Sequence, residues 1–228
     1  AHQGRRPAPM ILDSKNLIYK AVYHGARSFI EVFSTLEVEG WENVPDGACL
    51  FASNHQSMLD PPLIGSSLPR EISFIARRTL FDNPLFGFVI QACHSIPVDR
   101  GEADIGAIRS ALAALKAGEG LLIFPEGTRM AAGQTRRYGV SGALLASRTG
   151  CKVVPVAHDA GYYWPRRGLM KRPGTIRVII GPPIDTMDRE PRDINEQAQA
   201  WVEAAVERIR SEKAGLATPS SAAGQSRG

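Results

Sequence analysis

Apolar positions recur along the chain at two different spacings, one helical and one strand-like. Between Ser14 and Phe33, the residues Leu17, Ile18, Ala21, Val22, Gly25, Phe29, Ile30 and Phe33 return every three to four positions, while Lys15, Lys20, His24 and Arg27 are polar. That spacing predicts an amphipathic helix over 14–33. Such a helix either packs on a core or lies in a membrane interface with its basic residues at headgroup level. Short runs then follow: TLEVEG (35–40), CLFAS (49–53), ISFIA (72–76), HSIPV (94–98), LLIF (121–124), KVVPVAH (152–158) and TIRVIIG (175–181). Several are continuously apolar, as expected of strands buried on both faces. Between them lie helical patterns at 82–92, 102–118 and 140–150, with Gly118 and Gly150 placed to stop the last two. A final helix is predicted from about Asp193 to Lys213.

Strands interleaved with helices predict an α/β fold: a single domain whose central mixed, largely parallel sheet is covered by helices on both faces, preceded by the N-terminal amphipathic helix. The expected divisions are an irregular segment 1–13, a domain 14–213 and a small, polar, disordered tail 214–228. In such sheets ligand sites gather in the loops beyond strand ends.

Composition narrows this picture only modestly. With 228 residues, 43% of them hydrophobic, the chain suits one domain. A net charge of +4 favours anionic partners: phosphorylated metabolites, membrane surfaces or acidic carrier proteins. Basic residues are scattered and only 7% of positions are aromatic, so nucleic acid is not an expected partner. Cys49, Cys93 and Cys151 are widely spaced and form no C-x-x-C pair, which argues against a zinc knuckle or a disulfide framework. No apolar run approaches the ~20 residues that span a bilayer. The chain begins at Ala1, so an anchoring segment could precede it.

Three polar stretches directly follow predicted strands: Asn54–Asp60 (NHQSMLD), Val98–Gly101 (VDRG) and Pro125–Arg129 (PEGTR). On one continuous helix His55 and Asp60 would project about 140° apart, so they meet only if the turn folds back or if Asp60 begins a helix that His55 precedes. One reading makes Asp60 an N-cap before Pro61, with His55 an ordinary turn residue. The other makes them a pair in which neutral imidazole takes a proton from an alcohol while the carboxylate fixes its tautomer. No G-x-S-x-G elbow is present, and nothing marks Ser57 as an activated nucleophile, so direct attack by a substrate hydroxyl is the chemistry such a pair would serve. Arg100 and Arg129 could clamp one phosphate, helped by backbone amides at Gly127 and Thr128, or each could be a surface or salt-bridge residue, Arg129 with Glu126.

Together these stretches resemble the glycerolipid acyltransferase family, the lysophosphatidic acid acyltransferases and their relatives. NHQSMLD matches the block N-H-x-x-x-x-D, HSIPVDR is similar to the second block, IFPEGTR matches F-P-E-G-T-R, and VVPVA resembles the valine–proline block. The four stand in family order from Asn54 to Ala157. The resemblance implies transfer of a fatty acyl group from acyl-CoA or acyl carrier protein to the free hydroxyl of lysophosphatidic acid. It implies His55 as general base, Asp60 as its orienting partner, and Arg100, Glu126, Gly127, Thr128 and Arg129 as the acceptor site. No metal or other cofactor is expected, and the implied location is the cytoplasmic face of a membrane, peripheral or anchored by a segment missing from this chain. Two departures bear on acceptor detail: Met130 stands where relatives carry Ser, and RRYGVSG (136–142) replaces their Phe-Lys-x-Gly. The stretch 157–174 reads as a long loop, either solvated or a contact for headgroups or an acidic carrier through Arg166, Arg167, Lys171 and Arg172 with Trp164 at the interface. His158 and Asp159 read as structural. Rival functions are acylation of another lyso-lipid such as an ornithine lipid precursor, thioester or lipid hydrolysis, and non-catalytic binding of anionic lipid.

Overall fold

The computed structural model describes residues 14–99, 104–165 and 172–217. A seven-stranded sheet forms its centre, built from β1 (Thr35–Glu39), β2 (Cys49–Ser53), β3 (Ile72–Arg77), β4 (Ser95–Val98), β5 (Gly120–Ile123), β6 (Lys152–His158) and β7 (Thr175–Ile180). Their spatial order is β1-β7-β6-β2-β5-β3-β4. β6, β2, β5, β3 and β4 run parallel to one another, whereas β7 pairs antiparallel with β6 and carries β1 parallel to itself. The sheet is therefore mixed and largely parallel, as the apolar runs predicted.

Both faces of the sheet are covered because alternate side chains of each central strand point opposite ways. Cys49 and Phe51 of β2 join one core with Leu122, Val154, Val156 and Trp164, closed by α1 (Leu17–Phe33) and α2 (Asp60–Gly65) through Ile30, Leu63 and Ile64. Leu50 and Ala52 join a second core with Leu121 and Val153. That core is closed by α4 (Ile105–Lys116), α5 (Ser141–Thr149) and α6 (Pro191–Ala217). α3 (Pro84–Ala92) packs against α1 and β4.

The first helix corrects its own reading. It starts at Leu17 with Asn16 as N-cap, whose Oδ1 accepts from the Ile18 and Tyr19 amides. The side chains it buries are Tyr19, Tyr23 and Ile30, whereas Leu17 (78% exposed), Ile18, Phe29, Val32 (76%) and Phe33 face outward. Amphipathic spacing identifies an apolar stripe but not which side meets the protein, and here the tyrosine edge does, with the Tyr19 hydroxyl accepting from the Ile72 amide. No helix among the described residues is long and apolar enough to cross a membrane. Ala214–Ala217 continue α6, contrary to the expected tail; residues 1–13 and 218–228 lie outside the described part.

Candidate active site

Because β6, β2 and β5 are parallel neighbours, the segments that leave their C-terminal ends emerge side by side on one edge of the sheet. They are the turn Asn54–Leu59 after β2, Phe124–Arg129 after β5, and His158–Ala160 closing β6. His55 and Asp60 meet because the turn folds back onto the first residue of α2. Leu59 occupies the N-cap position, so Asp60 is not the cap; it opens the helix and directs its carboxylate back into the preceding turn. Asp60 Oδ2 accepts from His55 Nδ1 at 2.8 Å, from the Gln56 amide at 2.6 Å and from the Ser57 amide at 2.7 Å. Asp60 is fully buried, and its Oδ1 has no partner among the described residues.

A carboxylate on Nδ1 leaves the proton there and the lone pair on Nε2. His55 Nε2 has no hydrogen-bond partner among the described residues, and the side chain is 18% exposed. Its ring stacks on Phe124, centroids 4.0 Å apart and planes 20° apart. Ser57 Oγ accepts from the Leu59 amide and makes no hydrogen bond to a base among the described residues, so nothing there activates it as a nucleophile.

The PEGTR stretch closes over the same turn. Gly127 donates to Phe124 O at 2.9 Å with φ +67°, a left-handed conformation that favours glycine. The Met130 amide donates to His55 O at 2.7 Å, a backbone contact that does not need the Ser found in relatives. Glu126 does not pair with Arg129. Its Oε2 instead accepts from the His55 amide at 3.0 Å. Burial pushes the Glu126 carboxyl up to about 7, opposed by the His55 N–H and reinforced by the negative charges of Asp60 and Glu203. Beside it lies a cavity of about 200 Å³ bordered by Gln56, Glu126, Tyr138, Glu203 and Arg210.

Thr128 and Arg129 are half-buried at the rim, immediately before the residue tied to His55. Arg129 makes no ion pair or hydrogen bond among the described residues. Arg100, with Gly101, lies outside the described residues, as do Arg166, Arg167 and Lys171. The 157–174 stretch is less of a loop than expected. β6 extends to His158, a short 3-10 turn covers Ala160–Tyr162, and Trp164 is fully buried in the core rather than placed at an interface. Arg172 is exposed.

His158 and Asp159, read from the sequence as structural, are both buried around the site. Asn54 Nδ2 donates to His158 O at 2.9 Å, and the His158 amide donates back to Asn54 Oδ1 at 3.0 Å. Gln56 Oε1 accepts from the Gly161 amide at 3.1 Å. Asp159 accepts from the Arg177 amide and from Lys213 of α6. Asn54 and Gln56 flank His55 in sequence, and that was the available signal. Their partners lie more than 100 residues away.

Chemically, the arrangement presents one imidazole nitrogen for a proton, a buried carboxylate behind it, and an arginine-bearing turn beside it. A 1-acyl-sn-glycerol-3-phosphate acyltransferase of Pseudomonas aeruginosa is 38% identical over 172 residues, covering 73% of this chain and 66% of that protein. A lyso-ornithine lipid O-acyltransferase of the same organism is 34% identical over 124 residues, covering 53% and 46%. The chain thus spans less than two thirds of the length of either relative. The solved structure of the 1-acyl-sn-glycerophosphate acyltransferase PlsC from Thermotoga maritima superposes with a TM-score of 0.74 at 29% identity, covering 84% of this chain and 79% of that one. The Acyltransferase family profile matches residues 35–159, which contain the whole His55–Asp60 turn, the PEGTR turn and β6, and the chain belongs to that family.

Proposed function

We propose that the protein transfers a fatty acyl group from an acyl thioester, acyl-CoA or acyl carrier protein, to the sn-2 hydroxyl of lysophosphatidic acid, giving phosphatidic acid. The observation that carries this reading is the His55–Asp60 pair, whose unpartnered Nε2 sits beside the PEGTR turn. In the reaction, His55 Nε2 takes the hydroxyl proton as the oxygen attacks the thioester carbonyl carbon. Asp60 holds the ring and stabilises the imidazolium that forms. Collapse of the tetrahedral intermediate breaks the C–S bond, and the proton passes from His55 to the leaving sulfur. Arg129 and Arg100 are assigned to the acceptor phosphate, with Thr128 lending its amide; the Gly127 amide is engaged with Phe124 O, and its part is the left-handed turn that carries Thr128 and Arg129 to the rim. Glu126 is reassigned from the acceptor to holding the His55 backbone.

The reading places the enzyme on a membrane surface, its cytoplasmic side being the expected one. The outward apolar stripe of α1 supports this, together with Leu85, Phe86 and Phe88 of the adjoining α3 and Met58 (73% exposed) within the His55 turn. A second acceptor, a lyso-ornithine lipid, is favoured by the 34% identical relative. An acceptor panel decides between them. With either donor, lysophosphatidic acid is expected to support thiol release at a kcat/KM about 100-fold or more above monoacylglycerol, which lacks the phosphate two arginines would bind. Higher activity with a phosphate-free lyso-lipid overturns the phosphate reading, and thiol release independent of any acceptor overturns transferase in favour of hydrolase.

A further inference from the structure

We infer that His158 is a positioning residue for the transfer: its ring N–H grips the Asn54–His55 peptide and so sets where the His55 imidazole stands. The inference rests on His55 being the base. His158 is fully buried at the end of β6. Its Nδ1 accepts from the Ala160 amide at 3.3 Å, which places the ring proton on Nε2. Nε2 lies 2.9 Å from Asn54 O and donates to it.

A trans peptide holds its C=O and N–H on opposite edges of one plane. Here the Asn54 carbonyl edge is held by His158 Nε2, with Ser53 Oγ donating to the same oxygen at 3.2 Å, and the His55 amide edge by Glu126 Oε2 at 3.0 Å. Rotating that plane breaks one bond or the other, and both partners are buried, so either loss leaves an unsatisfied polar group. The Asn54 side chain adds the two bonds to the His158 backbone just where the regular β2–β6 pairing stops, at Ser53 opposite Val156. The residues 54–57 have no helix or strand ladder of their own, so these contacts, with the Asp60 bonds, fix their path. Nε2 is also 3.7 Å from Asp60 Oδ2, too far for a hydrogen bond, but near enough to place the ring beside the carboxylate that orients His55. Ser53 Oγ comes from the residue next to Asn54 and cannot tie the peptide to β6; doing that while also accepting from the Ala160 amide takes a donor on one edge of the buried ring and an acceptor on the other. Histidine supplies both, and an apolar residue of the same size supplies neither.

The test measures kcat, KM and melting temperature for wild type, His55→Ala, His158→Phe and His158→Gln. Gln can put its amide NH₂ near the ring Nε2 position, whereas Phe fills the space without a donor. His158→Phe is expected to lower kcat about 100-fold with KM unchanged, the cost of displacing a catalytic group by about 1 Å. His158→Gln is expected to recover most of that loss at a melting temperature no higher than that of the Phe variant. Should the Phe variant not fold, His158→Asn replaces it: its shorter side chain keeps an acceptor for Ala160 but cannot reach Asn54 O. Wild-type kcat in a folded Phe variant, or equal losses in the Gln variant and its Phe or Asn counterpart, overturns the inference and leaves a packing role. Undiminished activity in His55→Ala overturns the reading beneath it, and this inference with it, whatever the His158 variants do.

Discussion

Glu126→Gln separates the electrostatics of the site from its shape. Glu126 is buried, and its carboxyl is held up to about 7 against an ordinary 4.5. The folded protein therefore keeps a proton on Glu126 that the unfolded chain has already released between about pH 4.5 and 7. Its contribution favours folding below the unfolded value and is lost as pH rises through the folded one. At about 1.4 kcal/mol per unit, a displacement of roughly 2.5 units costs the wild type about 3 kcal/mol once pH is well above 7. Gln carries no titrating proton, and its Oε1 can still accept from the His55 amide, so the variant escapes that cost without losing the contact. Urea unfolding of both proteins at pH 4.5 and pH 8.5 isolates the term, because the other titrating groups largely cancel in the difference. The stability of Glu126→Gln relative to wild type is expected to rise by about 3 kcal/mol from the lower to the higher pH. A difference that stays constant with pH refutes the claim that Glu126 is buried against a neighbouring negative charge.

The remaining predictions touch the pair, the core and the surface. Asp60→Asn is expected to lower kcat by about 10³-fold or more while the chain stays folded, because an amide cannot hold the His55 tautomer or stabilise the imidazolium; steady-state kinetics with circular dichroism check this. Gly142→Ala should destabilise by about 1–3 kcal/mol in urea unfolding, since a Cβ there would lie 2.0 Å from Cδ1 of Ile123, the last residue of β5. Phe29→Asp with Val32→Asp, both outward on α1, should weaken binding to phospholipid vesicles about 100-fold with little change in melting temperature, as read by vesicle co-sedimentation and thermal unfolding.

Much of the fold was readable because its strands are buried on both sides. CLFAS carries no polar alternation, and all five of its residues are buried in β2. The interleaving of such runs with helical periods then fixed the class, and Gly150, left-handed at the end of α5, stops that helix as expected. The orientation of α1 was not readable, because a period of 3.6 defines a stripe without saying what lies opposite it. Tyr19 turned inward because its hydroxyl meets the Ile72 amide and its ring lies beside His94, partners that only the folded chain supplies, and Tyr23 is buried in the same cluster with Cys93. Trp164 looked like an interface residue among arginines, yet it fills the core beside Phe51 and Val178. At the site, spacing and the following proline left His55 and Asp60 open to two readings, a helix cap beside a turn residue or a pair; the family blocks around them pointed to the pair, and the turn does bring the two together. Its supports were not legible: Asn54 with His158 and His55 with Glu126 join residues 104 and 71 positions apart, and only the parallel order β6-β2-β5 brings them together.

The central claim is that His55 activates a lipid hydroxyl, with Asp60 behind it, so that acyl transfer depends on both the acceptor and the imidazole. The most direct measurement follows thiol release from an acyl thioester, with and without lysophosphatidic acid, for wild type and His55→Ala, and identifies the lipid product. The account predicts acceptor-dependent release with stoichiometric phosphatidic acid in wild type, and loss of both in a folded His55→Ala protein. Phosphatidic acid formed at the same rate by His55→Ala contradicts it.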